Sequence, residues 1–201
     1  MKMPMESDLK SLAGVIFDLD GTLVDSRLDF AAIRRELGCP GETGVLEFIE
    51  QLPAARQAQA HAVVLRHERQ GAENARCMPG ARECLAHFQQ RGLPTAILTR
   101  NAREIANLTL DRLRIPIDRL IAREDAPPKP APDGLLQIAR EWGLPPSRLV
   151  YVGDFRFDLE AAHRAGMVAC YYDPAGTRRF VQQADWWIQH LTSLTGSPTG
   201  A

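Results

Sequence analysis

The sequence predicts an α/β fold in which a doubly wound parallel sheet carries a small α-helical cap after its first strand. Three observations predict it. Short apolar segments that read as buried strands recur along the chain. Helical patterns with clear stops separate them. One stretch, from Ser26 to about Cys77, has helical patterns but no strand pattern.

The first strand is residues 13–17 (AGVIF), apolar and closed by an acidic, glycine-containing turn. Further strands are expected at 95–98 (TAIL), 120–122, 149–152 (LVYV) and 168–171, with a weaker one at 186–188. A helix over 80–90 begins after Pro79 and stops at Gly92. A second over 102–114 follows Asn101, a good N-cap. Helices over 132–142 and 158–165 end at Gly143 and Gly166. Strands alternating with helices through short loops argue for a parallel sheet with helices on both faces. In the strand-free stretch, residues 28–37 and 54–70 read as helices, with Gly38, Pro40, Gly41 and Gly44 marking the turn between them. The expected organisation is an α/β core of residues 1–25 and 78–194, a helical cap of 26–77, and a polar, Gly/Pro-rich tail of 195–201 that is disordered.

Composition narrows the class. The chain has 201 residues, 45% hydrophobic and 24% charged, with a net charge of −1. That is ordinary globular composition, with no bulk field to favour nucleic acid or an anionic membrane. No apolar run approaches the roughly 20 residues that span a bilayer. Pro4, Glu6, Asp8 and Lys10 interrupt any signal-peptide stretch, so a cytoplasmic location is expected. Cys39, Cys77, Cys84 and Cys170 show no metal-type spacing and read as free thiols.

The chemistry gathers where the strands end. Ligands of a parallel sheet collect at its C-terminal edge. The first strand runs into Asp18-Leu19-Asp20-Gly21-Thr22. Two carboxylates two residues apart on extended chain point to one side, and their repulsion favours a bound cation or proton. Alone, the pair could equally be solvated turn residues. The second strand ends in Thr99-Arg100-Asn101 at a helix start, where a hydroxyl and backbone N–H groups suit an anion. Lys129 lies in a stiff Pro127-Pro128-Lys129-Pro130 loop. Asp154 and Asp158 bracket the next helix start. Hard oxygen donors with no suitable sulfurs suit Mg²⁺.

These residues, in this order, resemble the haloacid dehalogenase superfamily of phosphatases, in the subgroup with an α-helical cap after the first strand. The likeness is to phosphoglycolate phosphatase-like members and covers nearly the whole chain. Its motifs stand here as Asp18-Leu19-Asp20-Gly21-Thr22, as Thr99, as Lys129 and as Gly153-Asp154-Phe155-Arg156-Phe157-Asp158. The resemblance implies a Mg²⁺-dependent phosphohydrolase acting on a small phosphorylated metabolite. Asp18 would be the nucleophile that forms an aspartyl-phosphate, and Asp20 the acid and base. Thr99, Arg100, Asn101 and Lys129 would meet the phosphate. Asp18, the Asp20 carbonyl, Asp154 and, through water or as support, Asp158 would hold the metal.

Two positions depart from the commoner pattern. Phe155 stands where a Ser or Thr usually follows the acid, and Arg100 stands where an Asn or Ser usually follows the threonine. Arg100 could grip a substrate anion with both arms of its guanidinium, or form a surface ion pair. Arg34, Arg35, Arg66 and Arg69 of the cap could meet a second anionic group, or line a solvated helix face. The five histidines match no motif, and Trp186-Trp187 reads as sheet-edge packing. Two rivals remain. A phosphoglucomutase-like transferase of the same superfamily shares the first motif and the cap. A receiver-like signalling domain also combines acids, Thr and Lys, but carries its acceptor after the third strand and has no helical insertion.

Overall fold

The computed structural model describes residues 2–41 and 43–196. In chain order the elements are α1 (Glu6–Ser11), β1 (Gly14–Phe17), β2 (Val24–Asp25), α2 (Phe30–Leu37), α3 (Val45–Glu50), α4 (Ala54–Asn74), β3 (Arg76–Cys77), α5 (Ala81–Gln90), β4 (Thr95–Leu98), α6 (Arg103–Leu113), β5 (Arg119–Ile121), α7 (Asp133–Trp142), β6 (Leu149–Gly153), α8 (Arg156–Ala165), β7 (Val168–Tyr172) and β8 (Trp186–Ile188).

The fold is the expected one. Six parallel strands form one sheet in the order β5-β4-β1-β6-β7-β8. The reversal of winding at β1 opens the crevice where ligands of such sheets bind. Because strand side chains alternate, each central strand feeds two cores. Val15 and Phe17 of β1, with Val150 and Val152 of β6, pack with Leu85 and Phe88 of α5 and Ala106 and Leu110 of α6. Ile16 and Tyr151 point the other way, among Leu135 and Ile138 of α7 and Leu159 of α8. Each such fully buried aliphatic side chain contributes roughly 1.5–3 kcal/mol. Trp186 is buried on the edge strand β8, and the guanidinium of Arg178 lies over the ring of Trp187 at 4.7 Å.

The segment between β1 and β4 departs from the sequence reading in three ways. Arg76–Cys77 is a strand, pairing antiparallel with Val24–Asp25; a two-residue ribbon is too short to show a period. A third helix, α3, stands where only a turn and unassigned chain were expected. The structured helix α1 at the N-terminus was not anticipated, and its Leu9 packs into the first core. The helices α2, α3 and α4 share a small core of their own built on Ile33, Val45, Ile49, Ala60 and Val64. The far half of α4 leaves that core and packs on α6 through Leu65, Ala72, Ile105 and Leu108, with Ala102 just before α6.

Helix starts shift slightly too. Helix α6 has Ala102 as its N-cap rather than Asn101, whose side chain is used elsewhere. Of the expected tail, Thr195 closes a 3₁₀ turn and donates to the Thr192 carbonyl at 2.7 Å, and Gly196 follows at φ 71°; residues 197–201 lie outside the described residues. Among the described residues no helix is long and apolar enough to cross a membrane.

Candidate active site

The site begins with the turn after β1. The Asp18 N–H donates to the Val152 carbonyl, extending the β1–β6 pairing past the strand end. The chain then winds tightly, with Leu23 and Val24 both donating to the Leu19 carbonyl, before entering β2. Gly21 takes φ +80°, and a Cβ there would lie 2.3 Å from Oδ2 of Asp154. Only glycine lets these two loops meet.

Lys129 is the hub. Its Nζ donates to Oδ1 of Asp18 and Oδ1 of Asp158, each at 2.7 Å, and lies 3.0 Å from the Tyr151 hydroxyl. All four side chains are buried. The Tyr151 hydroxyl in turn donates to the Leu98 carbonyl at 3.0 Å and sits 3.1 Å from Asp158 Oδ1. The other oxygen of Asp158 works on the backbone. Oδ2 accepts the Phe155 N–H at 3.0 Å, capping the start of α8. The four-residue spacing from Asp154 to Asp158 is therefore the spacing from a strand end to the third position of a helix.

The electrostatics follow from burial. Burial pulls the Lys129 ammonium down, but Asp158 and Asp18 outweigh it and carry it up to about 12. Burial raises the Asp18 carboxyl well above the usual range, with Lys129 opposing and Asp158 and Asp154 adding to the rise. Asp154 is pushed up to about 7 by burial and then by the charge of Asp158. Oxygens of Asp18, Asp154 and Asp158 all lie within 4.8 Å of one another. One ammonium, bonded to two buried acids with the half-buried Asp154 beside them, leaves a deficit of positive charge, which an oxygen-preferring divalent cation suits.

Asp20 belongs to a separate arrangement. Its carboxylate is not part of that three-acid group; its Oδ2 accepts from Asn101 Nδ2 at 2.6 Å. Burial raises its pKa, and hydrogen bonds from Ser26 and Asn101 hold the rise back. Thr99 is buried and shares Asn101 with it. The Thr99 Oγ1 accepts the Asn101 N–H at 3.1 Å, while its own N–H goes to the Ile121 carbonyl.

A protein-family model for haloacid dehalogenase-like hydrolases matches residues 12–166. The chain belongs to that family. Among its relatives, this hydrolase is 31% identical over 177 residues to a haloacid dehalogenase-like hydrolase domain-containing protein of Arabidopsis thaliana, covering 82% of this chain and 72% of that one. The phosphoglycolate phosphatase of Escherichia coli strain K12 is 29% identical over 200 residues, covering 78% and 79%. Among solved structures, a haloacid dehalogenase-like hydrolase from Bacteroides fragilis superposes with a TM-score of 0.77 at 23% identity, over 91% of this chain and 99% of that one. That last likeness speaks for the fold alone.

Within this hydrolase, Asp18, Lys129 and Asp158 are in direct contact, with Asp154 beside them and Asp20 linked to Asn101. Arg100 instead turns to the helical insertion, where its Nη2 donates to Glu47 Oε1 of α3 at 2.6 Å. Of Arg34, Arg35, Arg66 and Arg69 in the insertion, three have partners of their own. Arg66 binds Glu36, Arg69 binds Glu104, and Arg34 lies over the Phe30 ring, while Arg35 is exposed.

Two features escaped the sequence. Tyr151 was hidden inside an apolar strand, although a phenol in a buried strand usually finds a partner for its hydroxyl. Glu68 of α4 is buried and accepts from Arg123 Nη2 at 2.7 Å. Its signal was present: Ala60, Val64, Glu68 and Ala72 recur every four residues, so an acid occupies the buried stripe of a helix. Its carboxyl is raised by burial, against the pull of Arg123.

Proposed function

We propose that this hydrolase is a Mg²⁺-dependent phosphatase that cleaves the phosphate monoester of a small metabolite through an aspartyl-phosphate. The observation that carries the reading is the division of labour between Asp18 and Asp20. They stand two residues apart, yet Asp18 is held by an ammonium and Asp20 by a neutral amide. Burial raises both carboxyls, and the ammonium beside Asp18 opposes that rise and favours the charged form that attacks. A buried carboxyl beside an amide can hold a proton.

In this reading an oxygen of Asp18 attacks phosphorus in line as the ester P–O bond breaks. Asp20 gives its proton to the departing alcohol oxygen, then takes one from the water that cleaves the acyl phosphate. Lys129 and the Thr99 hydroxyl hold phosphoryl oxygens, and Lys129 also weakens the repulsion between Asp18 and an incoming dianion. Asp18, Asp154 and Asp158, with the Asp20 carbonyl, would hold Mg²⁺. Bound there, the ion supplies charge that offsets repulsion between carboxylates and phosphate. The helical insertion of residues 26–77 acts as a cap that excludes stray water. The phosphatase names among the relatives support the reaction class. We place the enzyme in the cytoplasm, acting on small molecules rather than on nucleic acid or membrane.

The test is hydrolysis of p-nitrophenyl phosphate. Turnover should need Mg²⁺, stop with EDTA, release free phosphate, and leave an alkali-labile phosphate on acid-quenched enzyme. Full activity in EDTA would sink the metal assignment. Phosphate passed to a sugar phosphate instead of to water would make it a transferase.

A further inference from the structure

Glu68 does more than tie the insertion to the core. Its Oε2 accepts from Arg123 Nη2 at 2.7 Å. Burial raises its carboxyl, Arg123 opposes that rise, the charge of Asp20 adds to it, and a hydrogen bond from the Ala102 N–H lowers it again. One carboxylate thus takes both a guanidinium and a backbone N–H. These contacts converge on a single peptide unit, the one between Asn101 and Ala102. Its N–H goes to Glu68, and its carbonyl accepts the Arg123 N–H at 3.0 Å. The N–H of Asn101 itself goes to Thr99 Oγ1 at 3.1 Å. Both backbone groups of Asn101 are therefore bonded, and its side-chain amide projects from a fixed base. That amide donates to Asp20 Oδ2 at 2.6 Å.

A second contact leads from α4 toward Asp20. Gly71 is buried in the helix three residues beyond Glu68, where glycine is a poor helix former. Close approach accounts for it: a Cβ there would lie 3.0 Å from the Ser26 carbonyl oxygen. Ser26 is the other side chain that hydrogen-bonds the Asp20 carboxyl. Asp20, Ser26, Glu68 and Asn101 line one space that leaves no room for a water molecule. The helix therefore acts on Asp20 through these bonds and not through solvent.

We propose that Glu68 is a positioning residue for the acid and base: it sets the Asn101 peptide, and through the Asn101 amide it aims the Asp20 carboxyl at the leaving oxygen. This rests on the phosphatase reading above. Gly71 serves the same end by letting α4 close on Ser26. The inner half of α4 thus belongs to the floor of the site, although the chain delivers it with the cap. A carboxylate suits the task because its two oxygens serve the guanidinium and the peptide N–H together, whereas the amide of glutamine offers one acceptor oxygen. The ion pair of Arg69 with Glu104 also joins α4 to α6, but it involves neither Asn101 nor Ser26.

The experiment compares p-nitrophenyl phosphate with p-nitrobenzyl phosphate on the full-length enzyme with Mg²⁺. Nitrophenolate departs unaided, whereas the benzylic alkoxide is a far stronger base and needs a proton from Asp20. Asp20→Asn should therefore lower kcat/KM much further on the benzyl ester than on the phenyl ester. Glu68→Gln should show the same split in milder form, about ten-fold or more on the benzyl ester and under about three-fold on the phenyl one. In an Asn101→Ala background Glu68→Gln should widen the split no further, because the route runs through that amide. Arg69→Ala should leave the ratio of the two esters unchanged. Should Glu68→Gln fail to fold, Glu68→Asp keeps the charge beside Arg123 but draws the carboxylate back, and the same split is expected. An equal fall on both esters in the Glu68 variants overturns the proposal, since lost folding or a plain tie between helices behaves that way. A split as large in Arg69→Ala overturns it too. If neither ester is hydrolysed, or Asp20→Asn falls alike on both, the phosphatase reading fails and takes the proposal with it; if only the Glu68 variants lack the split, that reading stands and the positioning role alone is lost.

Discussion

Lys129 and Arg66 are both cations bonded to carboxylates, one sealed in the sheet edge and the other on the outside of α4. Lys129 is 4% exposed and bridges two acids that are themselves buried. The Arg66 side chain is 61% exposed and bonds both oxygens of Glu36, with His67 on the same carboxylate at 2.9 Å. The geometries are equally good, but the surroundings are not. Buried charges that lose a partner are stranded, whereas exposed ones turn to water. The floor of the site is therefore held rigidly by its own charges. The insertion rests on its small apolar core and on the packing of α4 against α6, and its surface ion pairs add little.

That contrast can be broken by substitution, beginning with the largest effect. Asp18→Asn should lower kcat by about four orders of magnitude or more while circular dichroism stays unchanged. Lys129 keeps Asp158 in that variant, so the network survives although the carboxylate proposed to attack does not. Appreciable remaining activity would mean that another group attacks phosphorus. Lys129→Met should cost about 3–5 kcal/mol in a denaturant titration, because two buried acids lose their cation. Mg²⁺ should recover part of that loss by binding the folded state alone.

Glu68→Gln sits between the extremes. It weakens the buried link from α4 to Arg123, and about 1–3 kcal/mol should be lost. Arg66→Ala should cost under about 1 kcal/mol. A loss as large as that of Lys129→Met would show that exposure does not govern these pairs. The smallest effect concerns pH. Hydrogen bonds from Arg119, then Gln137, hold the Glu141 carboxyl down at about 2, below its ordinary 4.5. A lowered folded-state pKa stabilises above the unfolded value and is lost as pH falls through the folded one. Melting temperatures of Arg119→Ala and wild type should thus differ above pH 4.5 and converge toward pH 2.

The sequence disclosed the two regions unequally. The strands were legible because apolar runs of four or five residues end in Asp, Gly or Thr, a pattern that tertiary packing does not blur. The acids could be placed at one sheet edge because strand ends in a parallel sheet share a side. The insertion was harder to read. The helix α3 is six residues long, too short for a helical period, and β2 and β3 are shorter still. The partners of Arg100 and Asn101 were beyond reach, since Glu47 and Asp20 lie far away along the chain. Asn101 looked like a helix cap because its residue type suits one, and a tertiary bond to Asp20 took its side chain instead.

The contact of Gly21 with Asp154 joins two turns that the chain separates widely. Any side chain at position 21 must displace a carboxylate as well as strain a backbone at φ +80°. Damage there should first register as weakened cation affinity in an otherwise well-folded molecule. Drift in one turn is thus constrained by the other, and shortening residue 154 would not open position 21, because its backbone at φ +80° still calls for glycine.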